Sequence, residues 1–300
     1  MRPPAVLAIH GGAGPAPADP DDGGARWARQ ADGLAAALRA GRDVLARGGS
    51  ALDAVVAAVT VMEDDEEWNA GRGSALTVTG TVEMDACLAD GRSGGVGAVA
   101  AVTGIRHPIE AARALLADGR HVLLAGPGAE DFARSAGLAF EPPGWFVTAR
   151  RRRALEDAPG TVGAVARDAG GHLAAATSTG GRTGQLPGRV GDSPIAGAGT
   201  WAADATCAVS ATGLGEAFLR TAFAHEIDAR LRLTGAGLDA ACRAALAAVA
   251  AAGGDGGCIA VGPAGPPVLA FTTDLMHRGW AEVGGGLWVA ARPGPLEPAG

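Results

Sequence analysis

Apolar positions along the chain fall into short blocks punctuated by glycine, and the blocks have two different periods. AVLAIH, from Ala5 to His10, is a continuous apolar run of strand length that breaks on GGAG. GARWARQADGLAAALRAGRDVLARGG repeats its apolar residues at helical spacing and stops on glycine. SALDAVVAAVTVMEDDEE opens on a serine cap and reads as a buried helix. ALTVTGTVEMDACLAD alternates, with a hairpin turn expected at Thr79-Gly80, and VGAVAAVTG is the next strand. HPIEAARALLADG is a helix with proline in its first turn, HVLLAG a strand, and AEDFARSAG a short helix. From Phe140 to Pro159 the pattern fades. The polar stretch with Arg150 to Arg153 at its middle reads equally as a solvated, mobile connection and as a surface helix.

After Thr161 come two strands joined by a glycine turn, then the loop GGRTGQLPGRVGDSPIAGAG. TCAVSATG is a strand running into GEAFLRTAFAHEIDARLRLTG, read as one amphipathic helix, and GLDAACRAALAAVAAAGG is a second helix. GCIAVG, PVLAFTT and GLWVAAR close the chain as strands. Strands in groups, then paired helices, then strands predict an α+β chain of packed antiparallel sheets sandwiched by helices, not regular βαβ alternation.

Composition narrows the function. The 300 residues are 48% apolar, enough for a substantial core, and the net charge of -7 argues against a nucleic-acid partner. The 49 glycines follow no period, so they mark tight turns and not a collagen repeat. There is no lysine and no tyrosine, which excludes a lysine Schiff base, a P-loop lysine and a tyrosine acid. Asparagine occurs once, as Asn69. Cys87, Cys207, Cys242 and Cys258 are far apart and form no CxxC, which suits neither a zinc site nor a disulfide scaffold and fits a reducing cytoplasm. The first apolar run is too short for a signal peptide, and no stretch reaches membrane-span length.

Several motifs carry little. GRSGG around Ser93 satisfies G-x-S-x-G, but no helix follows it, so a turn between strands is expected. HGGAGP follows a strand without dinucleotide-binding spacing. His10, His107, His121, His172, His225 and His277 have no metal-ligand spacing, and His10 reads as a hydrogen-bonded structural histidine. Thr161 is different. It opens a strand directly after Gly160. If the Gly160-Thr161 bond were cut by the Thr161 hydroxyl, the new α-amine, with an unperturbed pKa of roughly 7.7–8.0, would be a base on the same residue as the hydroxyl it activates. Taken alone, a β-branched residue opening a strand is the better explanation of Thr161. Thr177, Ser178 and Thr179 end the partner strand of the same hairpin. Arg189 and Asp192 offer a fork for a carboxylate and an acceptor for an ammonium group, the two ends of an α-amino acid. Thr212 and Gly213 lie where a strand turns into a helix and can hold an oxyanion.

IHGGAG, WNAG, GTVGAVA, ATSTGG, LPGRVGDSPIAGAG and ATGLGE occur in that order, and the series strongly resembles the plant-type asparaginase/isoaspartyl peptidase family of N-terminal-nucleophile hydrolases over nearly the whole chain. The resemblance implies a four-layer αββα sandwich in a single domain, 1–300, self-cleaved into 1–160 and 161–300 and paired as an (αβ)2 assembly. It implies autocleavage between Gly160 and Thr161. It assigns Thr161 as nucleophile and base, with Thr179 orienting it. Arg189 holds the substrate α-carboxylate and Asp192 its α-ammonium. Thr212 and the Gly213 N–H stabilise the oxyanion, Gly213 and Gly215 line the substrate site, and Asn69 lies near the nucleophile. No cofactor for catalysis is implied. A structural sodium ion is expected on backbone carbonyls of Met62, Glu63, Asp65, Trp68, Ala70 and Arg72.

The implied reaction is cleavage of L-aspartyl β-amides, with isoaspartyl dipeptides ahead of L-asparagine and L-aspartate released. Small-molecule substrates, no nucleic acid, no membrane and a cytoplasmic location complete the expectation. Leu214 departs from the polar residue that relatives often carry, which bears on leaving-group preference. A glycosylasparaginase is the near alternative. Its small subunit typically starts Asp-Thr-Ile-Gly, where this chain has Gly-Thr-Val-Gly. An uncleaved relative that only binds aspartyl compounds is the alternative from another class.

Overall fold

The computed structural model describes residues 3–16, 24–153 and 160–299. The first half contains β1 (Val6–Gly14), α1 (Ala25–Ala46), α2 (Ala51–Asp64), β2 (Met84–Asp90), β3 (Val96–Val102), α3 (Pro108–Asp118), β4 (Leu123–Ala125) and α4 (Gly126–Ser135). Two short helices, α5 (Pro143–Phe146) and α6 (Ala149–Arg153), lead toward Gly160. The second half contains β5 (Val162–Arg167), β6 (Leu173–Thr179), β7 (Thr200–Ala203) and β8 (Cys207–Gly213), then α7 (Gly215–Thr221), α8 (Phe223–Thr234) and α9 (Leu238–Ala251). It closes with β9 (Gly256–Val261), β10 (Val268–Phe271), β11 (Leu275–Glu282), β12 (Leu287–Ala290) and β13 (Glu297–Pro298).

The strands form a nine-stranded sheet, in the order β13-β12-β11-β1-β5-β6-β2-β3-β4, and a four-stranded sheet, β10-β9-β8-β7. Neighbours are antiparallel except β3 and β4. This is the mixed α and β content that the pattern predicts. The two faces of β1 explain its unbroken apolar run. Leu7 and Ile9 pack with Leu34 and Leu38 of α1 and Val55 and Val59 of α2. Val6 and Ala8 face the other way, into a cluster with Val165 of β5 and Ile259 and Val261 of β9. A strand buried on both faces has no polar alternation to show. The outer face of the smaller sheet, at Val209 and Ala260, meets Phe218, Ile227 and Val249 from α7, α8 and α9.

The structure corrects four readings. β1 does not break on GGAG but runs through it to Gly14, with a register shift between His10 and Ala13. Gly12, at φ 111°, absorbs the bulge, so pairing with β11 resumes at Ala13. The alternating ALTVTGTVEMDACLAD is a strand only from Met84. Upstream, Gly80 donates to the Thr77 carbonyl in a turn, and the hydroxyls of Thr77, Thr79 and Thr81 bond to one another instead of facing a partner strand. The helix read from 215 to 235 is two helices that meet at Ala222, at φ 46°. The first amides of α8 explain the break, because Ala224 donates to the Ala198 carbonyl and His225 to the Gly197 carbonyl. Finally, β11 and β7 are strands that the pattern did not mark. In the polar stretch before Pro159, α6 forms and Arg151 is buried, with Nε donating to the Gly73 carbonyl at 2.5 Å. Residues 154–159 lie outside the described residues.

The packing of α3 on β3 depends on Gly97. A Cβ there would stand 2.1 Å from the Ala112 carbonyl oxygen and 2.5 Å from the Leu116 nitrogen, and neither backbone atom can move aside. Gly97→Ala should destabilise the protein by about 1–3 kcal/mol, the usual cost of overpacking. Gly128→Ala is the control: it lies in α4, where an added Cβ meets nothing within 4 Å. Thermal unfolding should show a clear drop for the first and none for the second.

Candidate active site

Strand register assembles the site. β5 lies between β1 and β6, so His10 stands opposite Gly163, and Gly163 opposite Thr177. On the far side of β6, Asp85 of β2 pairs with Thr179. Thr161, one residue before β5, therefore enters the sheet among side chains drawn from three other strands. It is buried, at 8% exposure.

The Thr161 hydroxyl donates to Thr179 Oγ1 at 3.1 Å. Thr179 donates onward to the Gly160 carbonyl at 3.1 Å and accepts from the Gly181 amide at 3.0 Å. Asn69 supplies a second donor to the same Gly160 carbonyl, from Nδ2 at 2.5 Å, and reaches the Gly181 carbonyl at 2.7 Å. Its Oδ1 accepts from the Ala75 amide at 2.7 Å, which fixes the amide orientation. Two donors on the Gly160 carbonyl polarise it and are placed to hold negative charge on its oxygen. A hydroxyl on the next residue completes the parts needed for an intramolecular acyl shift. β1 leaves room for this junction because Gly12 has no side chain: a Cβ there would come within 3.0 Å of Gly160 Cα.

His10 holds the next peptide group. Its Nδ1 lies 2.9 Å from the Thr161 carbonyl oxygen. A carbonyl only accepts, so Nδ1 carries the proton and Nε2 accepts from Ser210 Oγ, 2.9 Å away. Ser210 must then accept from Thr177 at 2.7 Å, and Thr200 stands 2.7 Å beyond Thr177. Burial pushes the imidazole pKa down to about 3, against the smaller effect of its bond to the Thr161 backbone, so the ring is neutral. The chain of hydroxyls runs in one direction as a result.

Arg189 and Asp192 reach the same cleft, an open space of about 240 Å³ lined by Thr161, Thr179, Arg182, Arg189, Asp192 and Gly213 among others. They do not pair with each other as a simple surface bridge would. Arg189 donates from Nε to Glu216 Oε1 at 3.1 Å and from Nη1 to Gln185 Oε1 at 3.4 Å. Asp192 is buried, and its Oδ2 has no hydrogen-bond partner among the described residues. Burial raises its pKa from 3.8 to about 7; Arg189 works against the rise, while Asp85 and Glu216 add to it. Such a carboxyl is poised to ionise when a cation arrives.

The remaining expected residues stand just behind the cleft. Thr212 Oγ1 accepts from the Ala13 amide at 3.2 Å, and its neighbour Gly213, at φ 150°, forms part of the wall. Gly215 touches the Arg189–Asp192 pair: a Cβ there would stand 2.7 Å from Asp192 Oδ1 and 2.9 Å from Arg189 Nη2. Leu214 caps α7 and is not among the described residues that line the cleft. Ser93 sits in the exposed β2–β3 turn and donates to Asp90 Oδ2 at 2.6 Å, away from any cleft residue.

Two acidic residues at the site were missed in the sequence. Glu216 is the last residue of ATGLGE. Asp85 occupies a buried position in MDACLAD, where only the oddity of an acid in an apolar strand marks it. Its Oδ1 accepts from the Ala101 amide at 2.9 Å and its Oδ2 from the Gly191 amide at 3.4 Å. Ala101 has φ 51°, a strained left-handed backbone that this bond helps to hold. Asp85 thus ties a bulge of β3 to the loop that carries Arg189 and Asp192. Burial raises its own pKa to about 6.

A family model described as asparaginase matches residues 3–159 and 154–289. An isoaspartyl peptidase of Salmonella typhimurium is 44% identical over 301 residues, covering 93% of this chain and 96% of the relative. An isoaspartyl peptidase of Escherichia coli is 42% identical, covering 93% and 94%. An isoaspartyl peptidase/L-asparaginase of Bos taurus is 40% identical over 310 residues, covering 97% and 94%. The chain belongs to this asparaginase family. No helix among the described residues is long and apolar enough to cross a membrane.

The charge of Asp85 opposes ionisation of Asp192. Asp85→Asn removes that opposition, so the Asp192 inflection should move below about 7. Carboxyl ¹³C NMR of the ligand-free protein, titrated from acid to alkaline pH, reads it directly; an unmoved inflection would show that the two groups are not coupled.

Proposed function

We propose that this chain is a threonine amidohydrolase that cleaves the β-amide bond of L-aspartyl compounds, isoaspartyl dipeptides ahead of L-asparagine, and releases L-aspartate. One observation carries the reading: the Thr161 hydroxyl, the doubly bonded Gly160 carbonyl and the Arg189–Asp192 pair meet in one cleft. The relatives' names give the substrate class.

Activation begins with attack of the Thr161 hydroxyl on the Gly160 carbonyl carbon. Negative charge gathers on the carbonyl oxygen, facing Asn69 and Thr179. The peptide C–N bond breaks, the nitrogen takes a proton, and an ester joins Gly160 to the Thr161 oxygen. Water hydrolyses the ester, leaving fragments 1–160 and 161–300. The freed Thr161 amine is then the base for the hydroxyl beside it. In turnover, Arg189 holds the substrate α-carboxylate bidentately and Asp192 its ammonium group. The activated Thr161 hydroxyl attacks the side-chain carbonyl, and the Gly213 N–H and Thr212 hydroxyl hold the oxyanion. The leaving amine takes a proton, and water then releases L-aspartate from the acyl-enzyme. Burial raises the Asp192 pKa to about 7, so near neutral pH an empty cleft holds only part of a negative charge, and the arriving ammonium draws the carboxyl to its ionised form.

The same reading extends to architecture. The helices packed outside each sheet and the shared apolar seam between the sheets support a four-layer αββα sandwich in a single domain. Val78 and Leu186 are exposed on adjoining segments, which supports pairing as (αβ)2. We propose a structural sodium ion on the segment from Met62 to Arg72. The backbone at Gly71 and Gly73 passes close to two of the carbonyls expected to hold it: a Cβ would come within 2.2 Å of the Glu63 oxygen at the first and 2.6 Å of the Trp68 oxygen at the second. Backbone carbonyls of Met62, Glu63, Asp65, Trp68, Ala70 and Arg72 would hold the ion, which would stiffen the loop that presents Asn69 and take no part in the reaction.

The decisive measurement is the intact mass under denaturing conditions. Wild type should give two fragments split between Gly160 and Thr161, Thr161→Ala should stay whole, and Arg189→Ala should still cleave. A wild-type chain that stays whole and binds aspartate stoichiometrically would favour a binding protein, and turnover of a glycosylated asparagine would favour a glycosylasparaginase. Gly215→Ala should fold and self-cleave yet raise KM for β-aspartyl dipeptides about tenfold or more, because its Cβ displaces both charged partners of the substrate. Steady-state kinetics on the cleaved protein checks this.

A further inference from the structure

A second arginine lines the cleft. Arg182 follows Gly181, whose carbonyl is held by Asn69, and its own amide donates to Gln185 Oε1 at 2.9 Å. The same Gln185 oxygen accepts from Arg189. The two guanidinium groups also share one carboxylate: Arg189 meets Glu216 Oε1 at 3.1 Å, and Arg182 Nη1 meets Glu216 Oε2 at 3.5 Å. The two side chains differ in burial. That of Arg189 is 17% exposed and that of Arg182 is 45% exposed. Arg189 is the enclosed cation; Arg182 stands at the mouth on a long ion pair, its side chain nearly half exposed.

Charge counting makes this arrangement informative, and the argument rests on the function proposed above. L-Asparagine carries one carboxylate and one ammonium group, and Arg189 and Asp192 account for both. A β-aspartyl dipeptide carries a second carboxylate, on the residue that leaves. Asp192 and Glu216 balance the two guanidinium groups in number, but Arg182 holds Glu216 only at 3.5 Å and is 45% exposed, so its charge is the one open to a further carboxylate. We infer that Arg182 recognises the free α-carboxylate of the leaving amino acid and so selects dipeptides over L-asparagine and over substrates with a blocked C-terminus. Glu216 keeps Arg189 in place while Arg182 turns its planar fork to the new carboxylate, a geometry that a guanidinium matches with two parallel hydrogen bonds. At this exposure the contact is screened by water, so its effect is on specificity and modest in size.

The test compares β-aspartyl-leucine with β-aspartyl-leucine amide, which differ only in that carboxylate, with L-asparagine as a third substrate. Wild type should favour the acid over the amide in kcat/KM by about three- to fivefold, the range an exposed ion pair supports. Arg182→Gln should bring the ratio close to one, and Arg182→Lys should retain part of it. Potassium chloride at 0.5 M should shrink the wild-type ratio, because exposed charges are screened. A wild-type ratio near one overturns the inference, as does an Arg182→Gln enzyme that keeps the wild-type ratio. If Arg182→Gln fails to self-cleave, the wild-type ratio and its salt dependence decide the matter. A wild type that hydrolyses L-asparagine but shows no acid preference leaves the proposed function standing and removes only this inference; one that hydrolyses none of the three removes both.

Discussion

Two consecutive carbonyls, those of Gly160 and Thr161, are gripped from opposite sides. Asn69 and Thr179 hold the first, and His10 holds the second. Fixing two successive peptide groups leaves the Thr161 side chain little freedom, so its hydroxyl meets Thr179 in one geometry. The grip depends on sheet register. A slip of one residue between β1 and β5 would turn His10 away from Gly163 and toward the helix-covered face. Close packing on both faces of β1, Leu7 and Ile9 against α1 and α2, Val6 and Ala8 against β5 and β9, opposes the slip, since a shift would exchange large and small side chains between the two seams. The core therefore does more than stabilise: it sets the position of Thr161.

Electrostatics are arranged around the same point. Among the described residues, the groups bonded to the Gly160 and Thr161 carbonyls are uncharged: Asn69 and Thr179 on the first, and on the second His10, held neutral by burial and bonded onward to hydroxyls. Charge is kept to the cleft, with Asp192 and Arg189 enclosed in its wall and Glu216 and Arg182 nearer its mouth. Asp85 lies beneath, anchoring the loop between them through Gly191. A neutral interior with a charged entrance suits a site in which a hydroxyl reacts and an amino acid is recognised at a distance from the bond that breaks.

The sequence revealed local order well and long-range contacts unevenly. Ser50 is the cap expected of it, accepting from the Asp53 amide at 3.1 Å, and α1, α2, α3 and α9 lie where periodicity put them. What escaped depends on partners distant in sequence. Ala222 breaks a helix because of amides bonded to Gly197 and Ala198, which no local pattern announces. β11 escaped because LMHRGWAE mixes charge with apolar residues; Arg278 is buried there, donating to the carbonyls of Met276 and Gly294. Among the residues that line the cleft, Thr161, Thr179, Arg189 and Asp192 were legible as an ordered set of motifs. Asp85 and Glu216 were not, since an acid acquires its role only when the fold brings the arginines and loop amides to it.

Strand order in the large sheet has a consequence for the protein's life after the proposed cut. Residues before the scissile bond supply β1, β2, β3 and β4, and those after it supply β5, β6, β11, β12 and β13. These are interleaved: β1 lies between β11 and β5, and β6 lies between β5 and β2. The two pieces cannot part without opening ladders on both sides of β1 and along β6, so the nick itself releases nothing. Unfolding is another matter. Once the chain is in two, the way back is a second-order encounter between fragments, dependent on their concentration and exposed to aggregation. Maturation would thus exchange a protein that can refold by itself for one whose persistence rests on the height of its unfolding barrier.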